Sequence, residues 1–231
     1  MYNCGLKFLQ CSLIASVEVG RLVSCLGQCL RAFFQFRKLY QEISVDSCYK
    51  GTHGTTCSAA DTILSEGFNK GPGLRGAGVY FWLYQFAELL QEAEHLAIAW
   101  YNKEFKKGSY SKHKNKNCAV VLADLDTKDQ DVFDFEAKRQ HFMVYAKAIM
   151  DKLGETELSE EEEKAILSGL HDSFFNHWEQ KVENSFDAVL VRVQAPPRFK
   201  SLFHRDVASQ PHCILVRNEG IIKITDVKKT H

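Results

Sequence analysis

The sequence has no excess of either charge: lysine plus arginine number 29, aspartate plus glutamate 29, and the net charge over 231 residues is zero. A chain balanced in this way has no bulk attraction for nucleic acid or an anionic membrane, so a charged partner has to be met by a local patch. It also lacks C-x-x-C pairs. Cys4, Cys11, Cys25, Cys29, Cys48, Cys57, Cys118 and Cys213 are scattered through mostly apolar surroundings. That pattern argues against a metal site or a disulfide framework and for reduced cysteines acting as small core residues. No uninterrupted apolar run is long enough to span a bilayer, because Lys7, Glu18, Arg21 and Arg31 break the N-terminal stretch. Nor does a charged segment precede a short apolar core and cleavage site, so a cytoplasmic protein with no membrane contact is expected. Internal repeats and low-complexity linkers are missing too, and the length suits one substantial domain or two small ones.

What is present is a succession of helical and strand periods. Between residues 6 and 40, Leu9, Leu13, Val17, Leu22, Leu26, Leu30, Phe33 and Phe34 recur at helical spacing. They predict one or two amphipathic helices, broken near Val19-Gly20, that cover a sheet or pack on a partner. Residues 48–53 read as a strand ending at Gly54, and residues 59–66 as a helix with Ser58 as N-cap and Gly67 as its stop. A glycine-rich loop over 69–76 leads into a strand over 78–82. A helix over 86–105, a basic loop over 106–117 and a buried strand over 118–125 follow. Residues 127–184 turn helical, over 136–152, 159–171 and 174–182, and Ser159 to Glu162 fits a capping box. The chain returns to strands over 186–193, 213–217 and 221–227, the last two joined by Asn218-Glu219-Gly220 as a terminal hairpin.

Two short segments carry chemistry. Tyr49-Lys50-Gly51-Thr52-His53-Gly54-Thr55 precedes Gly71-Pro72-Gly73-Leu74-Arg75-Gly76-Ala77-Gly78-Val79-Tyr80-Phe81. Gly54 leaves backbone groups open to a planar carboxamide, His53 and Thr55 offer hydrogen bonds to ribose hydroxyls, and Tyr80 offers a ring for stacking. Taken singly, the histidine reads equally as a strand-end residue satisfied by backbone, and the tyrosine as core. The loop is not a dinucleotide fingerprint, because it lies between a helix and a strand rather than a strand and a helix. Lys103, Lys106, Lys107, Lys112, Lys114 and Lys116, interleaved with Phe105, Tyr110 and His113, form a basic stretch. It reads either as a solvated loop or as a surface for phosphates and unpaired bases, extended by Arg198, Lys200, His204 and Arg205.

In combination and order, His53-Gly54-Thr55, Gly78-Val79-Tyr80-Phe81, the helix to Tyr101, residues 118–125 and residues 213–227 resemble the ADP-ribosyltransferase family of the poly(ADP-ribose) polymerase and diphtheria-toxin type. The resemblance covers roughly residues 45–125 and 185–228. It implies an α+β fold, a split, strongly bent β-sheet core with flanking helices and a helical insertion. One domain over 1–231 would comprise an N-terminal helical segment (1–44), an NAD-binding half (45–126), the insertion (127–184) and C-terminal strands and hairpin (185–231).

The implied co-substrate is NAD, without a metal. It would be held by His53, Gly54, Thr55, Gly78 and Tyr80 with a second aromatic, Tyr101, Trp100 or Tyr84. His53, Tyr80 and Cys213 take the family's three catalytic positions. The third is usually glutamate, and its replacement by Cys213 removes a charge and a strong acceptor. Mono-ADP-ribosyl transfer to a protein or to single-stranded RNA or DNA is therefore expected, with Glu219, Glu136 or a substrate group supplying charge. The alternative is a catalytically inactive module binding NAD or ADP-ribose. Compact members of the superfamily act as toxins in bacterial and phage conflict systems, which adds an antitoxin or chaperone as an expected partner, met by the N-terminal segment. The related RNA 2′-phosphotransferases would need further basic residues around the ligand.

Overall fold

A computed structural model describes residues 49–153, 159–197, 199–201 and 210–230, all within one compact unit, Ser47–His231. The expected N-terminal helical segment, and Arg198, His204 and Arg205 of the basic patch, lie outside the described residues. Strands β1 (Tyr49–Thr56), β2 (Val79–Tyr84), β3 (Cys118–Leu125), β4 (Val132–Asp134), β5 (Ala188–Arg192), β6 (His212–Val216) and β7 (Ile222–Lys229) form one sheet in the order β4-β5-β6-β2-β1-β3-β7. Only β4 and β5 run parallel. Helices α1 (Cys57–Glu66), α2 (Leu90–Lys106), α3 (Phe135–Leu153) and α4 (Glu160–Val182) complete the described residues as a mixed α+β chain. None of them is long and apolar enough to cross a membrane.

Local chemistry accounts for several boundaries. Strand β3 is an apolar run whose side chains are buried on both faces, because Val120 and Leu122 pack with Ala93, Leu96 and Ala97 of α2 while Ala119 and Val121 pack with Cys57 and Ala60 of α1. Helix α1 begins two residues earlier than Ser58 predicts: Thr56 is the N-cap, its Oγ1 accepting from the Ala59 N–H at 3.2 Å. Gly67 ends it, with φ of 83° and its N–H on the Ile63 carbonyl. The capping box forms as expected, Ser159 N–H donating to Glu162 Oε2 at 2.9 Å and Glu162 N–H to Ser159 Oγ at 3.3 Å.

Three expectations need correction. Residues 160–182 form one helix, not two, because Leu170, Phe174 and Phe175 present a continuous apolar face to Phe133 and Phe135 through the expected break. The segment between β3 and β5 is not purely helical, since β4 joins the sheet edge beside β5. The last two strands are not a hairpin. Strand β6 lies between β5 and β2, while β7 lies on β3, four places away.

That connection bends the sheet. In a flat sheet at ~4.8 Å per strand, β6 and β7 would stand about 19 Å apart, farther than a five-residue link containing a 3-10 turn reaches. The sheet curls instead, so that Ile214, Val216, Phe81, Ala123 and Leu125 share one apolar cluster and the Asp126 N–H meets the Ile221 carbonyl at 2.8 Å.

The sheet also parts. Strands β1 and β2 pair only from Lys50↔Tyr84 to Thr52↔Trp82. Beyond that point β1 continues on β3 as far as Thr56↔Cys118, and β2 continues toward its start on β6 as far as Val79↔Val216. The parting lies at His53 and Tyr80.

Candidate functional site

At the parting, the His53 side chain bridges the two strands, its Nδ1 lying 2.9 Å from the Tyr80 carbonyl oxygen. A carbonyl only accepts, so Nδ1 carries the proton and Nε2 is left as an acceptor in the neutral ring. Burial holds the imidazole below its ordinary value, against the weaker opposing pull of that carbonyl, so the ring is neutral at pH 7. Phe68 stands edge-on to it at 5.3 Å and Phe81 lies at 5.8 Å, which fixes the ring plane. The two readings of this histidine thus fall on different nitrogens: one satisfied by backbone, the other available to a ligand.

Tyr80 is held by the glycine-rich loop that the sequence places before it. Its hydroxyl donates to the Gly76 carbonyl at 2.8 Å and accepts from the Arg75 N–H at 3.1 Å. Burial pushes this phenol well above its ordinary value, so it stays protonated. A Cβ on Gly73 would lie 2.5 Å from Tyr80 Cε2, and only glycine lets the loop close over the ring edge. The backbone pair Gly71↔Gly78 shuts the base of the loop. Tyr80→Phe removes the hydroxyl that ties both loop groups. The expected result is a loss of ~1–3 kcal/mol in urea denaturation, together with faster amide exchange over the loop; unchanged exchange at Arg75 would contradict it.

Around these residues lies a cleft of about 1170 Å³. His53, Gly78, Tyr80 and Cys213 line it, and because β1, β2 and β6 are sheet neighbours, the three expected catalytic positions converge. The volume suits a ligand of dinucleotide size. Ser58 and Thr62 of α1, the loop residues 67–69 and 71–75, Trp82, Trp100 and the segment from Val193 to Ala195 form its other walls.

Other expected residues stand elsewhere. Gly54 and Thr55 are buried, paired in the sheet with Val120 and Ala119 of β3, and do not line the cleft. A Cβ on Gly54 would come within 2.6 Å of the Ala97 carbonyl carbon, so its missing side chain serves the helix crossing β1 rather than a ligand. Tyr101 is turned away: it is buried, donates to the Lys116 carbonyl and stacks on Tyr110 at 5.5 Å and 12°. Tyr84 is buried as well, which leaves Trp100 as the α2 aromatic that lines the cleft. Of the basic residues, Lys112 and Lys114 line it and Lys106, Lys107 and Lys116 do not, whereas Lys103 joins them.

Cys213 is 3% exposed on β6, opposite Trp82 and Val191. Burial raises its thiol far above the ordinary range, so it is a neutral thiol and no nucleophile. Neither expected substitute carboxylate lines the cleft. Glu219 pairs with Lys70 at 3.0 Å, and Glu136 accepts from the Arg192 N–H at 3.1 Å.

Sequence reasoning missed the clamp behind the loop. Arg75 Nη1 lies 3.4 Å from His171 Nε2 and its guanidinium lies 5.8 Å from the Phe135 ring centroid. His171 Nδ1 sits 2.7 Å from the Leu167 carbonyl, so Nδ1 donates and Nε2 accepts from the arginine. Asp172 accepts from the Ala77 N–H at 3.0 Å. Helix α4, part of the expected helical insertion, therefore anchors the glycine-rich loop. An arginine amid glycines was a usable signal; its partner 96 residues away was not.

Comparison with family models, with curated proteins and with solved structures finds no match.

Proposed function

We propose that this cleft binds NAD and that the chain transfers single ADP-ribose units to a macromolecular acceptor. The observation that carries the reading is the junction of His53 and Tyr80: two strands part, both side chains face one cleft, and His53 presents Nε2 as a free acceptor in a fixed ring. Nε2 accepts a ribose hydroxyl and Tyr80 supplies the stacking face for nicotinamide. Tyr101 is turned out of the cleft and supplies no second face to that ring. The curled, parted sheet is the arrangement that the ADP-ribosyltransferase resemblance implies, which supports the reading without depending on any single residue.

Bond cleavage at the nicotinamide ribose develops positive charge on the sugar. With Cys213 neutral, stabilisation comes from the ligand's own phosphates and from the acceptor as it approaches. Addition of single units fits that arrangement better than chain growth.

A second reading, an NAD or ADP-ribose binding module without turnover, is favoured by one observation: no carboxylate lines the cleft among the described residues. NAD labelled on its adenylate phosphate, incubated with the chain and a mixture of cell protein and RNA, separates the two. Transfer predicts label in polymer, lost in His53→Ala and Tyr80→Ala, and digestion by protease or nuclease then names the acceptor class. NAD binding with neither polymer label nor nicotinamide release selects the module.

A further inference from the structure

The cleft has a charge imbalance that the chain as a whole does not. Arg75, Lys103, Lys112 and Lys114 line it, and no aspartate or glutamate does among the described residues, in a sequence whose net charge is zero. Cations gathered without carboxylates repel one another until an anion arrives. They stand on two walls. Arg75 belongs to the glycine-rich loop, where its side-chain contacts are a neutral imidazole and a phenyl ring. Lys103 lies near the end of α2, with Lys112 and Lys114 on the loop that follows. Lys107 is paired with Glu104 at 3.4 Å, whereas Lys112 and Lys114 have no ion pair among the described residues. A dinucleotide whose phosphates lay beside Arg75 on the glycine-rich loop would leave the three lysines of the other wall without counter-charge.

The lysine wall is built rather than loosely solvated. His113 Nδ1 lies 2.6 Å from Thr56 Oγ1 at the start of α1, and Tyr110 stacks on Tyr101, so the loop is tied down on either side of Lys112. Beside it, Trp100 is 36% exposed, with Lys103 Nζ 4.3 Å from its ring centroid and Trp82 edge-on at 6.5 Å. Anion-seeking lysines next to an exposed, braced indole match a strand whose phosphates and base faces are both open. An acidic peptide would satisfy the lysines but leave the indole unused, and a duplex hides its base faces.

We propose that the second substrate of this cleft is a single-stranded nucleic acid, its phosphates held by Lys112, Lys114 and Lys103 and a base stacked on Trp100. The proposal rests on the transferase reading. In the transfer, a lone pair on a nitrogen or oxygen of the strand forms a bond to C1′ of the nicotinamide ribose. The electrons of the C1′–N bond leave with nicotinamide, which becomes neutral, and the acceptor's proton passes to water.

The test uses the full chain without NAD and the fluorescence anisotropy of labelled single-stranded RNA, single-stranded DNA and duplex DNA of about 12 nucleotides. Single strands are expected to bind and the duplex to bind at least tenfold more weakly, about one decade. The logarithm of affinity is expected to fall with that of salt at a slope of about −2, for three lysines at roughly −0.7 each. The stronger-binding single strand names the source, RNA preference pointing to contacts with the 2′-hydroxyl. K112Q/K114Q is expected to cut affinity about tenfold or more and to flatten the slope, and Trp100→Leu to weaken binding without changing the slope. Equal duplex binding, an unchanged K112Q/K114Q variant, or displacement of the strand by saturating NAD would overturn the proposal. NAD binding with no affinity for either strand also overturns it while leaving a transferase with a protein acceptor. Strand binding without NAD binding removes the transferase and leaves the strand-binding face.

Discussion

Gly54→Ala is expected to yield a chain that melts on the order of 10 °C lower or fails to accumulate in soluble form, corresponding to a loss of about 4 kcal/mol or more. The added Cβ would meet the Ala97 carbonyl, with the carbonyl carbon at 2.6 Å and Cα at 3.1 Å, and all of these are backbone atoms. A flexible side chain yields to such an intrusion; a helix backbone yields only by moving as a unit, so the cost exceeds the ~1–3 kcal/mol of an ordinary overpacked site. Helix α2 has little room to move. Ala93 and Ala97 bury its small-residue face against β1, and Thr52 Oγ1 donates to the Ala93 carbonyl at 2.7 Å one turn earlier. Circular dichroism melts measure the effect, and a melting temperature within a few degrees of the parent would contradict it. Because the obstacle is a carbonyl rather than the Ala97 methyl, Ala97→Gly does not rescue Gly54→Ala.

Acid is expected to weaken the fold between pH 6.5 and about 4, with His171 as the principal cause. This ring is 2% exposed, stacked on Phe142 at 4.2 Å, and lies beside the Arg75 guanidinium. Burial, reinforced by the charge of Arg75 and only partly opposed by the Leu167 carbonyl, lowers its pKa to about 4 from 6.5. The sign follows from proton counting. Above pH 6.5 the ring is neutral in both states and contributes no slope. As pH falls toward 4, the unfolded chain takes up a proton that the folded chain refuses. Stability then drops by ~1.4 kcal/mol per pH unit, up to ~3 kcal/mol, and levels off once the folded ring also protonates. His53, lowered by its own burial, adds to the same slope. Urea denaturation across this range measures the loss, and His171→Phe should reduce the slope by up to one proton, leaving the His53 part. An identical slope in the variant would sink the assignment. The glycine-rich loop should loosen in step, since a charged ring facing Arg75 no longer accepts its hydrogen bond.

Both effects arise where local pattern meets distant packing. On α2, Ala93, Ala97 and Tyr101 follow one another at four-residue intervals, so the sequence already aligned Tyr101 with the buried stripe. Trp100, one residue earlier on the helix, stands at the border of that stripe and lines the cleft. Which aromatic faces the cleft depends on how the helix is turned on the sheet, and Gly54 lets the helix lie close by admitting the backbone of Ala97. That Arg75 joins Lys103, Lys112 and Lys114 on a cleft lined by no carboxylate among the described residues is likewise spatial: the sequence groups the lysines in one basic stretch but does not place Arg75 with them.

The sequence by itself determined the elements and their ends where the cause is local. An apolar run made β3, Gly67 stopped α1, and Ser159 with Glu162 started α4. It also determined which residues were candidates for the cleft, through their types and order. Only the tertiary structure decided strand partners, because a short turn after Val216 is compatible with a hairpin and with two strands meeting across a curled sheet. Hydrogen bonding along strand edges carries little side-chain information, so burial chose between them: the cluster of Phe81, Leu125 and Ile214 forms only in the curled sheet. The same curl parts β1 from β2, and that parting turns His53 and Tyr80 from strand residues into the floor of a cleft.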